Sequence, residues 1–306
     1  GMKYYSYDGH YFYSDFSKMI GDYQNNTYVN AVNANTPYYN YYQYLSLHTT
    51  TPFSAEQYDA HVAAKKKESV MLTTGNAFVS VQNKYTVNAL LMFGVAINES
   101  GWGTSTIAMT KNNLFGLNAV DSNPGEAATT FGSVEACIED FAYGWMHKGY
   151  LNGGDSRYRG PHFGDKHSGI NVKYASAPYW GEKAAARGYY VDTAKEYYGR
   201  YTIGIASKGM INCYKEADVS SKVIYTTDAS NGSYIYDFPV TILDKVTGAN
   251  GQQFYKVVSD MSLKTDRSAR NVEDIYNANR DYVFVSVSDM KVVIDGSDVS
   301  IPPNQP

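Results

Sequence analysis

Cysteine is nearly absent: the 306 residues hold two, Cys137 and Cys213. Two cysteines build no disulfide framework, so the fold has to rest on its buried core. Charge is also scarce, at 18% of residues, and the 26 Lys and Arg against 30 Asp and Glu leave a net charge of −4. A chain without a basic excess has no face that neutralises phosphates, so nucleic acid is excluded as the expected partner. No run of about 18 apolar residues occurs, so no membrane span is expected. The opening Gly1-Met2 is not followed by a basic and then an apolar region, so no signal peptide is read here. The expectation is that the natural protein extends further. Fixed-period repeats, a Gly-rich phosphate cradle after a strand and a Gly-x-Ser-x-Gly elbow are all missing.

Tyrosine is the residue in excess, with 31 copies, and 43% of the chain is hydrophobic. The length allows about two domains of roughly 100–200 residues each. A tyrosine offers an apolar ring face and a polar tip, which suits amphipathic ligands such as sugars. Most of the tyrosines are nevertheless expected to fill cores and loops. Cys137 shares an apolar helical stripe with Val134, Ile138 and Phe141, which predicts a buried thiol.

The patterning divides the chain into three regions. Residues 1–55 are polar, aromatic and poorly periodic, so they read as loop with short helices packed onto the helical region after them. Residues 56–205 are helical in pattern. Ser54 and Gln57 give the signature of a capping box at the start of one helix. Val87, Leu90, Leu91, Phe93, Val95 and Ile97 make a second helix apolar on almost every side, hence buried. Further helices are expected from Thr104 or Ser105 through Met109, from Ser133 to about His147, and from Tyr179 to about Tyr198. Residues 206–306 switch to β-branched runs at Lys222–Thr226, Pro239–Val246, Gln253–Val258, Tyr282–Val287 and Lys291–Ile294, with turns at Asn231-Gly232 and Gly248–Gly251. Short strands at this spacing predict a small β-barrel.

The residue with the clearest chemistry is Glu99. It closes the buried apolar helix and is followed by Gly101-Trp102-Gly103. The negative end of a helix dipole and a dry, apolar surrounding both disfavour another anion there. A carboxyl kept protonated in this way suits general-acid protonation of a glycosidic oxygen. A helix-end glutamate taken alone is more often the partner of a Lys or Arg. The Gly-Trp-Gly run shifts the reading, because it permits close approach of a ligand beside a stacking ring, Trp102.

Three motifs in order, Glu99-Ser-Gly-Trp-Gly-Thr-Ser105, Lys111-Asn-Asn-Leu-Phe-Gly116 and Asn171-Val-Lys-Tyr-Ala-Ser176 with Pro178-Tyr179-Trp180, resemble glycoside hydrolase family 73. These are bacterial cell-wall N-acetylglucosaminidases, autolysins of peptidoglycan, and the resemblance covers about residues 55–200. The Tyr-rich segment before it is similar to the region preceding the catalytic domain in clostridial autolysins. The resemblance implies an α+β protein: a lysozyme-like, mostly helical catalytic domain with a small second lobe. The β-rich tail resembles a bacterial SH3-like domain, a frequent wall-binding module.

It further implies that Glu99 is the essential acid and that Tyr174 lines the catalytic pocket. Asn113 is read as a holder of loop backbone or of a sugar acetamide, and Phe115 as an anchor of the same motif at the substrate site. Tyr179 and Trp180 are read as a sugar-stacking wall or as packing of the last helix. The second catalytic group stays open. Glu126 and then Asp121 are the loop carboxylates considered; the alternative is the substrate's own 2-acetamido oxygen, a known exception to the two-carboxylate rule. Glu135 is read as structural, in the first turn of a helix. His162 and His167 lack a Cys or acidic cluster, so no metal site and no cofactor is expected, and Asp155, Arg157 and Arg159 read as a solvated loop.

The expected function is hydrolysis of the β-1,4 bond between N-acetylglucosamine and N-acetylmuramic acid, by a secreted, wall-associated enzyme whose partner is the peptidoglycan glycan strand. A muramidase or lytic transglycosylase of lysozyme-like fold, or a non-catalytic wall-binding protein, are the alternatives.

Overall fold

Helix α1 (Phe16–Asn25) starts where the Asp15 carboxylate accepts the amides of Ser17 and Lys18, and α2 (Tyr41–Tyr44) is a single turn. A computed structural model describes residues 1–119, 124–206, 210–227 and 238–296. The first 40 residues form a small satellite core around Tyr13, Met19 and Ala31, whereas Tyr41, Tyr42 and Tyr44 are buried in the main core. Many tyrosines are therefore structural. The Tyr42 hydroxyl donates to Asp192 at 2.5 Å, across 150 residues of chain.

Helix α3 (Ala55–Lys65) begins as the capping signal predicts, with the Gln57 side chain accepting from the Ser54 amide at 2.8 Å. It packs on α4 (Gly75–Tyr85). Helix α5 (Ala89–Ser100) is buried from Ala89 through Ile97, as its apolar run requires. A short α6 (Thr106–Lys111) is capped by Ser105, whose hydroxyl accepts from Ala108. After α7 (Pro124–Ala127) comes α8 (Val134–Asp140), which carries the fully buried Cys137. Burial pushes that thiol up to about 12, so it is inert. The expected helix to His147 is present, but from Phe141 to Tyr150 it widens to a π-helix.

Helices α9 (Asn171–Tyr174) and α10 (Trp180–Val191) complete the helical part. Helix α10 lies so close to α5 that a Cβ on Gly94 would stand 2.8 Å from the Ala184 carbonyl. It stops seven residues before the expected Tyr198. The Asp192 carboxylate there collects the amides of Glu196, Tyr197 and Tyr198, and turns the chain toward the sheet.

The tail forms an antiparallel sheet of seven described strands: β1 (Thr202–Ala206), β2 (Asn212–Tyr214), β3 (Val223–Thr226), β4 (Pro239–Thr247), β5 (Gln253–Val258), β6 (Tyr282–Ser286) and β7 (Met290–Ile294). Their order is β3-β2-β6-β5-β4-β1-β7. The five strands expected from the sequence are there. Strands β1 and β2 were not expected, because β1 is interrupted by Gly204 and β2 is only three residues long. The turn expected at Asn231-Gly232 lies outside the described residues. The sheet has a core of its own, built on Cys213, Ile242, Val257, Val283 and Val285, and is also joined to the helices: Tyr201, Ile203, Ile205, Leu243, Val258 and Tyr276 belong to the same apolar cluster as α4 and α5. Polar contacts cross the same boundary, among them Thr86 Oγ1 to the Tyr276 carbonyl at 2.8 Å and the Tyr158 hydroxyl to Asp260 at 3.1 Å.

Candidate active site

Glu99 sits in the last turn of α5, where the buried helix meets solvent, and is itself half-buried. Its Oε1 accepts the indole N–H of Trp180 at 2.7 Å and the side-chain amide of Asn98 at 3.1 Å. The surroundings of this carboxyl are thus more polar than an apolar helix end implies. Neither donor is a Lys or Arg, so the ion-pair alternative for a helix-end glutamate does not apply.

The helix is ended by three consecutive residues in the left-handed region, Gly101, Trp102 and Gly103, with φ of 58°, 69° and 70°. For Trp102 that conformation costs about 1–2 kcal/mol, a cost of the kind found where backbone geometry serves a site. The indole of Trp102 stacks on His61 with centroids 5.3 Å apart. Gly103 is not an opening for ligand. Its missing Cβ would stand 2.6 Å from Ser69 Oγ and 2.8 Å from Met71 Cγ, so the glycine is needed by the protein's own packing. At Gly101 the nearest atom to such a Cβ is Thr104 Oγ1, at 3.9 Å, which leaves that position open.

Tyr174, 75 positions along the chain from Glu99, arrives beside it. Burial, with the Glu99 charge adding to it, holds its hydroxyl well above the ordinary tyrosine range, so it acts as an O–H donor. Its ring lies 4.5 Å from Trp180 and 5.4 Å from Tyr150, and among the described residues its hydroxyl has no hydrogen-bond partner. Trp180 is almost completely buried, with Phe163 against it at 5.5 Å. It reaches Glu99 through its nitrogen and presents no free ring face as a wall. Tyr179, its neighbour, is 59% exposed and lines a separate cavity of about 120 Å³ with His10, Tyr44, Asp165 and Glu182.

The Asn113 amide is spent on its own loop. It donates to the carbonyls of Leu117 and Thr129 at 3.1 and 2.9 Å and accepts from the Leu117 amide at 3.0 Å. Phe115 is buried flat on Phe141, with centroids 3.7 Å apart. Both residues brace the loop after α6 and offer little surface to a ligand. Glu126 is exposed on α7, and its backbone carbonyl is bound by Lys111. Asp121 lies outside the described residues. Among the described residues no group of three or more His, Cys, Asp or Glu could hold a metal, and His162 is buried with burial pushing it down to about 3. The arrangement is therefore one carboxyl, two N–H donors on one of its oxygens, and a tyrosine hydroxyl alongside. It can deliver a proton and steady a developing positive charge.

Asn98 and His61 were missed in the sequence. Asn98 had a signal, as an amide directly beside the acid, whereas His61 had none.

Residues 75–193 match the glucosaminidase family. The matching description is mannosyl-glycoprotein endo-beta-N-acetylglucosaminidase, and the segment holds Glu99, Trp102, Tyr174 and Trp180. A "Putative endo-beta-N-acetylglucosaminidase" of Streptococcus pneumoniae is 36% identical over 148 residues, 48% of this chain and 22% of that protein. A "Beta-N-acetylglucosaminidase" of Bacillus subtilis is 34% identical over 91 residues, 28% of this chain and 10% of that protein. The chain thus spans about a fifth or less of the length of these curated relatives. Among solved structures, a catalytic mutant of Staphylococcus aureus autolysin E in complex with the disaccharide NAG-NAM is similar at 19% identity and a TM-score of 0.40, covering 51% of this chain and 74% of that one. The matched segment contains Glu99 and the two aromatic residues, Tyr174 and Trp180, that approach it from the segment's far end.

Proposed function

We propose that the chain is an endo-β-N-acetylglucosaminidase that cleaves the β-1,4 bond between N-acetylglucosamine and N-acetylmuramic acid in peptidoglycan, working outside the cell on the wall. The observation that carries this is Glu99 at the end of a buried helix, inside the glucosaminidase segment, with Tyr174 beside it. In this reading Glu99 gives its proton to the departing glycosidic oxygen, and the bonding electron pair leaves with that oxygen. The Tyr174 hydroxyl orients the 2-acetamido group or stabilises the oxocarbenium-like carbon. The groups that hydrogen-bond Glu99 are Trp180 and Asn98, and the internal nucleophile in this reading is the substrate's own acetamido oxygen. Glu126 and then Asp121 are the loop carboxylates that stay as the alternative.

The sheet, SH3-like in its sequence pattern, is proposed to hold the enzyme on the wall as a fixed platform, a reading supported by its shared core with the helices.

Glu99→Gln tests the assignment. It is expected to lose about a hundred- to ten-thousandfold in turbidity decrease on purified walls, with an unchanged melting temperature. Mass spectrometry of the released muropeptides should find reducing N-acetylglucosamine ends. Reducing or anhydro-muramic ends would instead make the protein a muramidase or a transglycosylase. Near wild-type lysis by Glu99→Gln would remove Glu99 from the chemistry.

A further inference from the structure

We propose that Trp180 is a positioning residue that decides which oxygen of Glu99 carries the transferable proton. In its kinetic part this rests on the glucosaminidase reading above. A protonated carboxyl has one oxygen that bears hydrogen and one that only accepts. Oε1 already accepts two N–H groups, from Trp180 at 2.7 Å and from Asn98 at 3.1 Å. It is therefore the carbonyl oxygen, and the hydrogen sits on Oε2, which among the described residues has no hydrogen-bond partner. Once that proton has passed to the glycosidic oxygen, the same two N–H groups hold the carboxylate left behind. Such bonds strengthen as charge develops on their acceptor, so they favour the transition state over the ground state.

The indole is suited to this because it cannot turn away. Trp180 is buried to all but 4%, with Phe163 and Tyr174 packed on it at 5.5 and 4.5 Å. It also opens α10, which is pressed against α5 at Gly94, so donor and acceptor ride on two helices in direct contact. Because one ring touches both Glu99 and Tyr174, it fixes the spacing of the acid and the hydroxyl. A helix–helix shift would disturb both at once.

Two measurements test the proposal. The chain has three tryptophans, so the indole N–H signals of a protein labelled at tryptophan nitrogen are readily assigned. The Trp180 signal is expected to move when its acceptor is removed in Glu99→Ala, while the Trp145 signal stays. For kinetics, Trp180→Phe keeps a ring but loses the donor. It is expected to lower kcat about ten- to a hundredfold, the worth of one hydrogen bond to a charged group, with KM unchanged. Trp180→Tyr, which restores a donor, is expected to recover part of the loss.

An unmoved Trp180 signal in Glu99→Ala overturns the proposal. So does a Trp180→Phe enzyme that keeps its kcat, or one that loses activity through KM alone, since the indole would then be a binding surface. If Trp180→Phe does not fold, the spectrum and Trp180→Tyr decide. A folded wild type that cleaves no glycan defeats the glucosaminidase reading instead, and the spectrum still decides the contact by itself.

Discussion

The imidazole of His48 lies flat on the ring of Tyr276, with centroids 3.8 Å apart and planes within 5° of each other. One residue precedes the helical part and the other belongs to the sheet region, so this stack is one of the points where the two are fastened. His48 is buried, with Nδ1 at 3.3 Å from the Thr86 carbonyl, and Thr86 in turn donates its hydroxyl to the Tyr276 carbonyl.

Acid should loosen this fastening. Burial pushes His48 down to about 3, and His162 likewise to about 3, both from an ordinary value of 6.5. Their folded values are depressed, so the unfolded chain binds protons that the folded chain refuses between pH 6.5 and about 3. Stability is full above that window and falls as pH drops through it, by about 1.4 kcal/mol per pH unit for each histidine. Melting temperatures recorded from pH 7.5 to 4 should show the decline, and His48→Phe should make it shallower, leaving the His162 part. An equally steep decline in that variant would mean His48 is not a contributor.

Removal of residues 206–306 should leave an insoluble protein and not a free catalytic domain. Tyr201 and Ile203 would lose Leu243, Val258 and Tyr276 from a shared core, and the buried Tyr158 hydroxyl would lose Asp260. Uncovered apolar surface of that kind associates. Expression of 1–205 with a solubility and wall-binding assay checks this. A soluble fragment that still cleaves glycan would show the sheet to be a separable module.

Glycines 101 and 103 should respond differently to alanine. At Gly103 a methyl meets Ser69 Oγ at 2.6 Å and Met71 Cγ at 2.8 Å, both in buried residues, on top of a positive φ. Overpacking costs about 1–3 kcal/mol and the left-handed backbone about 1–2 more. Gly101→Ala carries the backbone cost alone, because its surroundings are open. Chemical denaturation of both variants should rank Gly103→Ala as the less stable, and the reverse order would refute this account of the turn.

Tyr174→Phe should separate chemistry from packing. The ring contacts with Trp180 and Tyr150 survive, and the hydroxyl has no partner among the described residues, so stability should hardly change. Turnover on purified walls should fall about ten- to a hundredfold if the O–H acts on the reacting sugar. Full activity in the variant would make Tyr174 a packing residue only.

The sequence by itself determined most of the elements and the place of Glu99 at a helix end. An apolar run from Val87 to Ile97 can only be a buried helix, and Gly101 and Gly103 have to end it, so Glu99 is placed at a helix end by local rules. The change from helical periodicity to β-branched runs likewise located five of the seven described strands. Tertiary structure decided what faces Glu99. Trp180 reads as a sugar wall or as packing of the last helix, because a tryptophan in a Pro-Tyr-Trp run carries no mark of where its nitrogen points, and the approach of α10 to α5 turns that N–H onto a carboxyl 81 residues away. In the same way the sequence leaves Asn113 open between loop backbone and a sugar acetamide, and Phe115 between loop anchor and substrate contact, and the closed loop spends them on the Leu117 and Thr129 carbonyls and on Phe141. Periodicity is a property of neighbours along the chain, whereas a hydrogen-bond partner is set by which two helices pack, and that depends on every residue in the shared core.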